Sequence, residues 1–511
     1  MKCQGLWVSL ILLMGLTASF AASGLAADNP PLDLEPGPHA VGYRVDYASD
    51  PARSFGPRQD LDGHPFPRPL SRPVQVHLWY PAADADGPPL RYRDYVLAAA
   101  GLYESSPAQN ADARTAEVLS DYKAHPLGRG ADEGKLDAIL GRKVRARRDA
   151  APAAGPFPLI LYAPSINSDP FENALLFEYL ASHGYVVAAA PSVGLREPEV
   201  SRDRAGAEAQ VGDLGFVMAR AWDAPWVDRA RIGVMGFSWG GMTALLFAIP
   251  HAGIDAVVCL DGAATMDAYR PVAESFACWV PRELRAALLQ IVLADEPRDL
   301  GFAAEAKYAD TYTWRLPGIV HRDFGADQLA KYRLAAEDPD AARASGTWGA
   351  VAQRVEVFFD AYLLGDARSL RVLREEAPPL AGADWAFQSA LPAPPTAAQF
   401  DEVIEKQGVD AAVELFHALR KVDPGVIVFD EQRLPRFAVL WGPERSEELL
   451  RLLELNLEAY PRSAETHYWL GQVHLTQEDE AAAERELKTV LDIDPEHARA
   501  RTLLEKLAGA R

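Results

Sequence analysis

The stretch "RIGVMGFSWGGMTALL", Arg231 to Leu246, sets one serine between glycines two residues before and two residues after it, with a third glycine directly behind. The apolar run ahead of it reads as a strand. The run behind it, to the stop at Pro250, reads as a helix. A tight turn therefore carries Ser238. Gly236 and Gly240 offer no side chain to block that turn, so the serine can occupy strained backbone with its oxygen exposed. Gly241 lets the helix pack close to the sheet, and the helix N-terminus points N–H groups at developing negative charge. This strand–turn–helix context favours a nucleophile over a hydroxyl in a glycine-rich bend. A serine alone is a weak nucleophile at neutral pH, so it requires a base, an orienting acid and an oxyanion site.

Working outward, the same alternation repeats. "FPLILYAPS" is a short continuous apolar run, as expected of a strand buried on both faces, and "DPFENALLFEYLASHG" is the helix after it. His183 precedes Gly184 and reads as a last-turn histidine. Strand "YVVAAAPS", helix "GDLGFVMARAWDA", strands "IDAVVCLDG" and "AALLQIVLADE", a helix around Phe302 to Ala309 and strand "TYTWRLPG" complete the series. Upstream, "VGYRVDYASD" and "RPVQVHLWYPA" are extended runs. The expected class is α/β, a mostly parallel sheet covered on both faces, with any active site at the carboxyl ends of its strands. Residues 92–148 read as a polar, helical insertion. The basic run Arg142 to Asp149 reads as a solvated edge or loop.

For a Gly-x-Ser-x-Gly turn in such a sheet, the partners follow in the order serine, acid, histidine. Six histidines follow Ser238: His251, His321, His417, His467, His474 and His497. Four lie on the helical tail, and His251 sits just after the nucleophile helix, away from the strand ends. His321, in "RLPGIVHRDFG", follows the last predicted strand through a Pro-Gly turn and can reach back over the serine. Two acids qualify: Asp261 ends one strand and Asp295 ends the next.

Together "FPLILYAPS", "LASHGYVVAAAPS", "GFSWGG", "VVCLDG" and "GIVHRDFG" resemble the platelet-activating-factor acetylhydrolase and dienelactone-hydrolase-like branch of the α/β hydrolases, from about Val76 to His321 and beyond. The resemblance implies an α/β-hydrolase fold. It takes the acid from the strand after the nucleophile helix, Asp261, with Asp295 as the alternative. It matches the histidine segment His-x-(Asn/Asp)-Phe to His321, Asp323 and Phe324. It implies an oxyanion hole from the backbone N–H groups of Trp239 and Ile166. Where the family commonly reads His-Gly before the second donor, this chain reads "PSIN", with Pro164 and Ser165 in those places. Ser165 and Asn167 are then further contributors or turn residues. The implied activity is hydrolysis of carboxylic esters through an acyl-enzyme, without cofactor or metal, on a small-molecule ester. Thioesters, lactones and small amides share the chemistry. A dienelactone hydrolase proper more usually carries a cysteine nucleophile.

At 511 residues the chain is expected to hold two or three domains. A formal net charge of −21 argues against a nucleic-acid partner. No CxxC pair or HExxH helix appears, so no metal site is indicated. Residues 1–27 read as an export signal: Lys2, the apolar run Leu6 to Phe20, and small residues from Ala18 to Ala27, with cleavage between about Ala21 and Ala27. The mature protein is then periplasmic or extracellular. Cys259 and Cys278 remain, either paired or with Cys259 as a small buried thiol. The expected domains are 28–390, the hydrolase-like part, a linker at 391–399 and a helical domain at 400–511. In the last, Leu470, Gly471, Ala483, Leu487 and Pro495 fall at the offsets of a tetratricopeptide repeat, with two more degenerate hairpins before it. Such a tail suits a protein partner, self-docking or dimerisation. The reading from a different class is an interaction protein whose hydrolase-like part is vestigial.

Overall fold

The computed structural model of the chain describes residues 34–56, 64, 70–99, 115–120, 133–325, 341–378 and 380–509. The expected export signal lies outside them. The chain divides into two compact units, Met1–Leu391 and Pro392–Arg511.

The first unit is built on an eleven-stranded sheet. Its strands are β1 (Ala40–Phe55), β2 (Leu70–Ala82), β3 (Pro89–Arg91), β4 (Lys143–Arg148), β5 (Phe157–Ala163) and β6 (Val186–Ala189). They continue with β7 (Val227–Phe237), β8 (Ala256–Leu260), β9 (Ala287–Leu293), β10 (Thr311–Leu316) and β11 (Asp384–Gln388). The spatial order is β11-β10-β9-β8-β7-β5-β6-β2-β1-β4-β3. From β6 across to β10 every pairing is parallel. β2 and β11 flank this block in antiparallel register. Crossover helices cover both faces, so the central strands are apolar at consecutive positions and wholly buried in β6, β8 and β9.

Period-two alternation divides those side chains between two cores. Ile160, Tyr162, Met235, Val258 and Leu289 face one layer with the helices Ala174–Ser182 and Ala341–Phe359. Leu159, Leu161, Val234, Val257 and Leu288 face the other with Arg204–Ala221 and Trp239–Ala248. Every residue of Trp239–Ala248 is buried, consistent with its apolar circumference. The chain leaves β5 for β6 on one side and returns to place β7 on the other. The crevice at the carboxyl ends of β5 and β7 is therefore a topological switch point, where open α/β sheets place their ligands.

Two expectations need correction. The segment expected to be helical from 92 to 148 is helical at Tyr92–Ala99, 115–120 and Glu133–Gly141 among its described residues, but it ends as strand β4. The basic run pairs in parallel with β1, Val41 opposite Ala146, and is covered on its other side by the short strand β3. The helix expected around Phe302 to Ala309 is the single turn and a half Gly301–Glu305. Cys259 and Cys278 are both free. Burial pushes the Cys259 thiol up to about 12, and it donates to the Gly241 carbonyl at 3.3 Å.

The second unit is helical: Ala397–Gln407, Val409–Val422, Ser446–Ala459, Ala464–Thr476, Glu480–Ile493 and Ala498–Gly509, with a short turn of helix at Phe437–Leu440. Thr396 opens it with a reciprocal cap on Gln399. A Cβ at Gly471 would lie 3.0 Å from the Leu487 side chain, so glycine sets the close approach of two successive helices. Tyr468, Leu487, Val490 and Ala500 form the buried cluster between them and the last helix.

Candidate active site

Ser238 stands between the end of β7 and the start of Trp239–Ala248, at φ 55° and ψ −119°. For a residue with a Cβ this is strained backbone. The surroundings enforce it. Ser238 N–H donates to the Leu260 carbonyl at 3.0 Å, and the Ser238 carbonyl accepts from Gly241 at 3.0 Å and Ala263 at 2.7 Å. Side chains on either flanking glycine are excluded: a Cβ at Gly236 would collide with the Gly240 carbonyl, and one at Gly240 with the Ala163 carbonyl. One at Gly241 would lie 2.7 Å from Gly262 Cα. The three glycines thus press the serine turn against the ends of β5 and β8.

His321 reaches this serine from the loop after β10. Its Nε2 lies 2.9 Å from Ser238 Oγ, and its Nδ1 lies 2.6 Å from Asp261 Oδ2. A carboxylate only accepts, so Nδ1 carries the proton and Nε2 presents its lone pair to the serine hydroxyl. The ring packs on Phe237, with centroids 4.9 Å apart. Asp323 accepts from Val320 N–H at 3.0 Å within the turn His321–Phe324, and Phe324 packs beside Phe237. These two residues hold the histidine turn.

Asp261 is fully buried at the end of β8, with φ 40°. Its N–H donates to the Ile291 carbonyl at 2.7 Å, clipping it to β9. Burial pushes its carboxyl up, but hydrogen bonds from His321 and Arg298 and their charges outweigh burial, leaving it below the ordinary aspartate value. Asp295, the alternative acid, instead accepts from Gly318 N–H at 2.8 Å. It caps the Pro-Gly turn where Gly318 takes φ 70°. The structure therefore brings Ser238, His321 and Asp261 together and assigns Asp295 to the loop that delivers the histidine. His251 bonds the Phe247 carbonyl at 2.6 Å, at the far end of the helix Trp239–Ala248. In the second unit His417 pairs with Glu458 and His467 with Glu486.

Two residues of this site carry no motif that sequence reading can detect. Arg298 lays Nε on Asp261 Oδ1 at 2.9 Å and Nη2 on Oδ2 at 2.8 Å. Glu172 organises the "PSIN" turn. It accepts Ser165 N–H at 2.8 Å, Ser165 Oγ at 2.7 Å, Ser168 Oγ at 2.7 Å and Tyr162 OH at 2.6 Å. Burial raises the Glu172 carboxyl against the lowering effect of those four donors. On the other side of the turn, Gln210 donates to the Pro164 carbonyl at 2.8 Å and accepts from Thr243. Ser165 thus has both donors committed to Glu172, and Asn167, at φ 55°, accepts from Val200 N–H at 2.6 Å. Ser165 is therefore held as a turn residue, and the Asn167 side chain ties the turn to Val200. Ile166 sits between them, partly buried against the core that includes the helix Trp239–Ala248. Trp239 begins that helix and packs edge-on to Tyr269 at 6.0 Å.

No family model matches the chain, and no curated protein matches it. Among solved structures it is similar to a ferulic acid esterase from Streptomyces cinnamoneus, at 21% identity and a TM-score of 0.45, over 71% of this chain and 99% of that one. The fold is of the α/β-hydrolase type, a mostly parallel mixed sheet with helices on both faces, followed by a helical C-terminal region.

Proposed function

We propose that the chain is a serine hydrolase of carboxylic esters, with Ser238 as nucleophile, His321 as general base and Asp261 as the orienting acid. The observation that carries this reading is the relay from hydroxyl to imidazole to buried carboxylate, 2.9 Å and 2.6 Å, at the switch point of the sheet. Ser238 Oγ attacks the ester carbonyl as its proton passes to His321 Nε2. Asp261 stabilises the imidazolium. The carbonyl oxygen gains charge, and the N–H of Trp239 at the helix N-terminus and that of Ile166 in the Glu172-held turn are the proposed donors to it. Collapse returns the proton to the leaving alcohol and leaves an acyl group on Ser238. Water then attacks with His321 again as base, and release of the acid regenerates the serine. Thioesters, lactones and small amides are the alternative substrates for the same steps.

A fluorophosphonate probe tests this directly. Wild-type protein is expected to label and Ser238→Ala to remain unlabelled while staying folded. Turnover by Ser238→Ala would place the chemistry elsewhere. An interaction protein with a vestigial site is the contrary reading, and an unlabelled wild type would favour it.

For the rest of the chain we propose export through residues 1–27, checked by N-terminal sequencing of the secreted form. We also propose a tetratricopeptide-like recognition role for the unit Pro392–Arg511, on the Gly471–Leu487 approach. Deleting that unit with unchanged kinetics and solubility would support a separate recognition role. Lost solubility or altered kinetics would point to self-docking or dimerisation.

A further inference from the structure

The acid in this site is held by a cation as well as by the histidine. Arg298 follows β9 in the segment "ADEPRDL", and its side chain is only 6% exposed, against 0% for Asp261. Four of its five N–H donors have local acceptors. Nε and Nη2 fork onto the two Asp261 oxygens, Nη2 also meets Glu296 at 2.9 Å, and Nη1 donates to the Pro297 carbonyl at 3.0 Å. A guanidinium so committed is a poor receptor for a substrate anion. What it does is fix the carboxylate plane and offset its charge at short range, in a buried setting where the interaction is weakly screened.

We propose that Arg298 is a positioning residue of the Ser238 site, whose guanidinium fork orients Asp261 toward His321 and offsets part of the carboxylate's charge there. This rests on the hydrolase reading given above. An unopposed carboxylate behind Nδ1 favours the imidazolium; the Arg298 charge on its far side reduces that preference. The other charged groups around the ring do not replace it. Asp295 is engaged by Gly318 and Asp323 by Val320, Arg322 is exposed, and Glu296 is half exposed on the outer side of Arg298.

The test is the acid limb of kcat/KM for p-nitrophenyl acetate on the full chain, with fluorophosphonate labelling run beside it. Arg298→Met is expected to move that limb upward by about one pH unit, a Coulomb effect of the size a single desolvated charge exerts. Arg298→Lys is expected to return most of the shift, because it restores the charge without the fork. Glu296→Gln exposes Asp261 to the full Arg298 charge and is expected to move the limb downward by a smaller amount. A purely structural role would instead lower the rate equally at every pH, and an unmoved limb in Arg298→Met overturns the proposal. Should that variant not fold, the partly exposed Glu296→Gln decides alone, and no downward shift overturns it. If wild-type Ser238 is labelled and the limb stays put, only the Arg298 inference fails. If wild-type Ser238 is not labelled, the hydrolase reading fails and this inference falls with it.

Discussion

Ser238 and Asp261 leave neighbouring parallel strands both at positive φ, 55° and 40°. They are stitched together there, Ser238 N–H to the Leu260 carbonyl at 3.0 Å and Ala263 N–H to the Ser238 carbonyl at 2.7 Å. The serine and the acid are thus fixed by backbone, and the histidine arrives on a loop from β10. Errors in the position of the first two are absorbed by strand register, while the loop needs its own supports.

The two candidate acids separate by mutation. Asp261→Asn puts an amide against His321 Nδ1 and favours the wrong tautomer, so kcat is expected to fall by about 10⁴. The same change takes the buried carboxylate charge from the Arg298 fork and leaves that cation with Glu296 alone, so a lower stability is expected in urea unfolding. Asp295→Asn keeps an oxygen for Gly318 N–H and is expected to stay within a few-fold of wild type. Equal losses in the two variants would remove Asp261 from its assigned role.

The Glu172 network predicts a rate effect from a residue outside the relay. Glu172→Ala strips the acceptor from Ser165, Ser168 and Tyr162, three side chains tied to one carboxylate. The turn carrying Ile166 loosens, and kcat is expected to drop by at least ~10-fold, short of the ~10²–10³ for complete loss of an oxyanion donor. KM is expected to change little. A change in KM alone would mean that the turn shapes binding only.

Buried carboxyls give the protein a pH-dependent stability with two opposite signs. Asp261 lies below its ordinary value in the folded state. Its contribution is therefore present above the unfolded value of about 3.9 and is lost as pH falls through the folded one. Burial drives Glu178 the other way, up to about 7, against hydrogen bonds from Tyr95 and the Arg145 N–H. The folded state binds more protons at Glu178 than the unfolded chain between about 4.5 and 7, so stability falls as pH rises through that window. Urea unfolding at pH 5 and pH 8 is expected to show a difference that shrinks in Glu178→Gln by up to about 3 kcal/mol. An unchanged difference would show that Glu178 is ionised throughout.

The glycines of the serine turn are expected to be intolerant for a steric reason. Gly240→Ala drives a methyl into the Ala163 carbonyl, whereas a Cβ at Gly253 meets nothing within 4 Å. Thermal unfolding of Gly253→Ala is expected to match wild type. Gly240→Ala is expected to be destabilised by about 3 kcal/mol or more, since backbone on both sides cannot move apart. Near-equal melting temperatures would mean that the turn relaxes.

The serine turn, the central strands and the choice of His321 were legible because each leaves a local trace: glycine spacing, runs of buried residues, and a Pro-Gly turn after the last parallel strand. The choice between Asp261 and Asp295 was not legible from the residues. Both end adjacent strands, and only the loop's path decides which oxygen meets Nδ1. β4 was missed because a run of arginines and lysine reads as solvent-facing until a sheet edge is there to pair with it. Ser165 reads as free to donate, but Glu172 takes both its N–H and its hydroxyl.

The amino-acid order by itself determined the alternation of strand and helix, the two-sided burial of the sheet and the strained turn at Ser238, because these follow from side-chain period and from the absence of Cβ atoms. Tertiary structure alone decided the partners of the polar groups. The Arg298 fork on Asp261 and the four donors on Glu172 join residues whose chemistry is ordinary one at a time, and their pairing exists only where burial removes water as the competing partner.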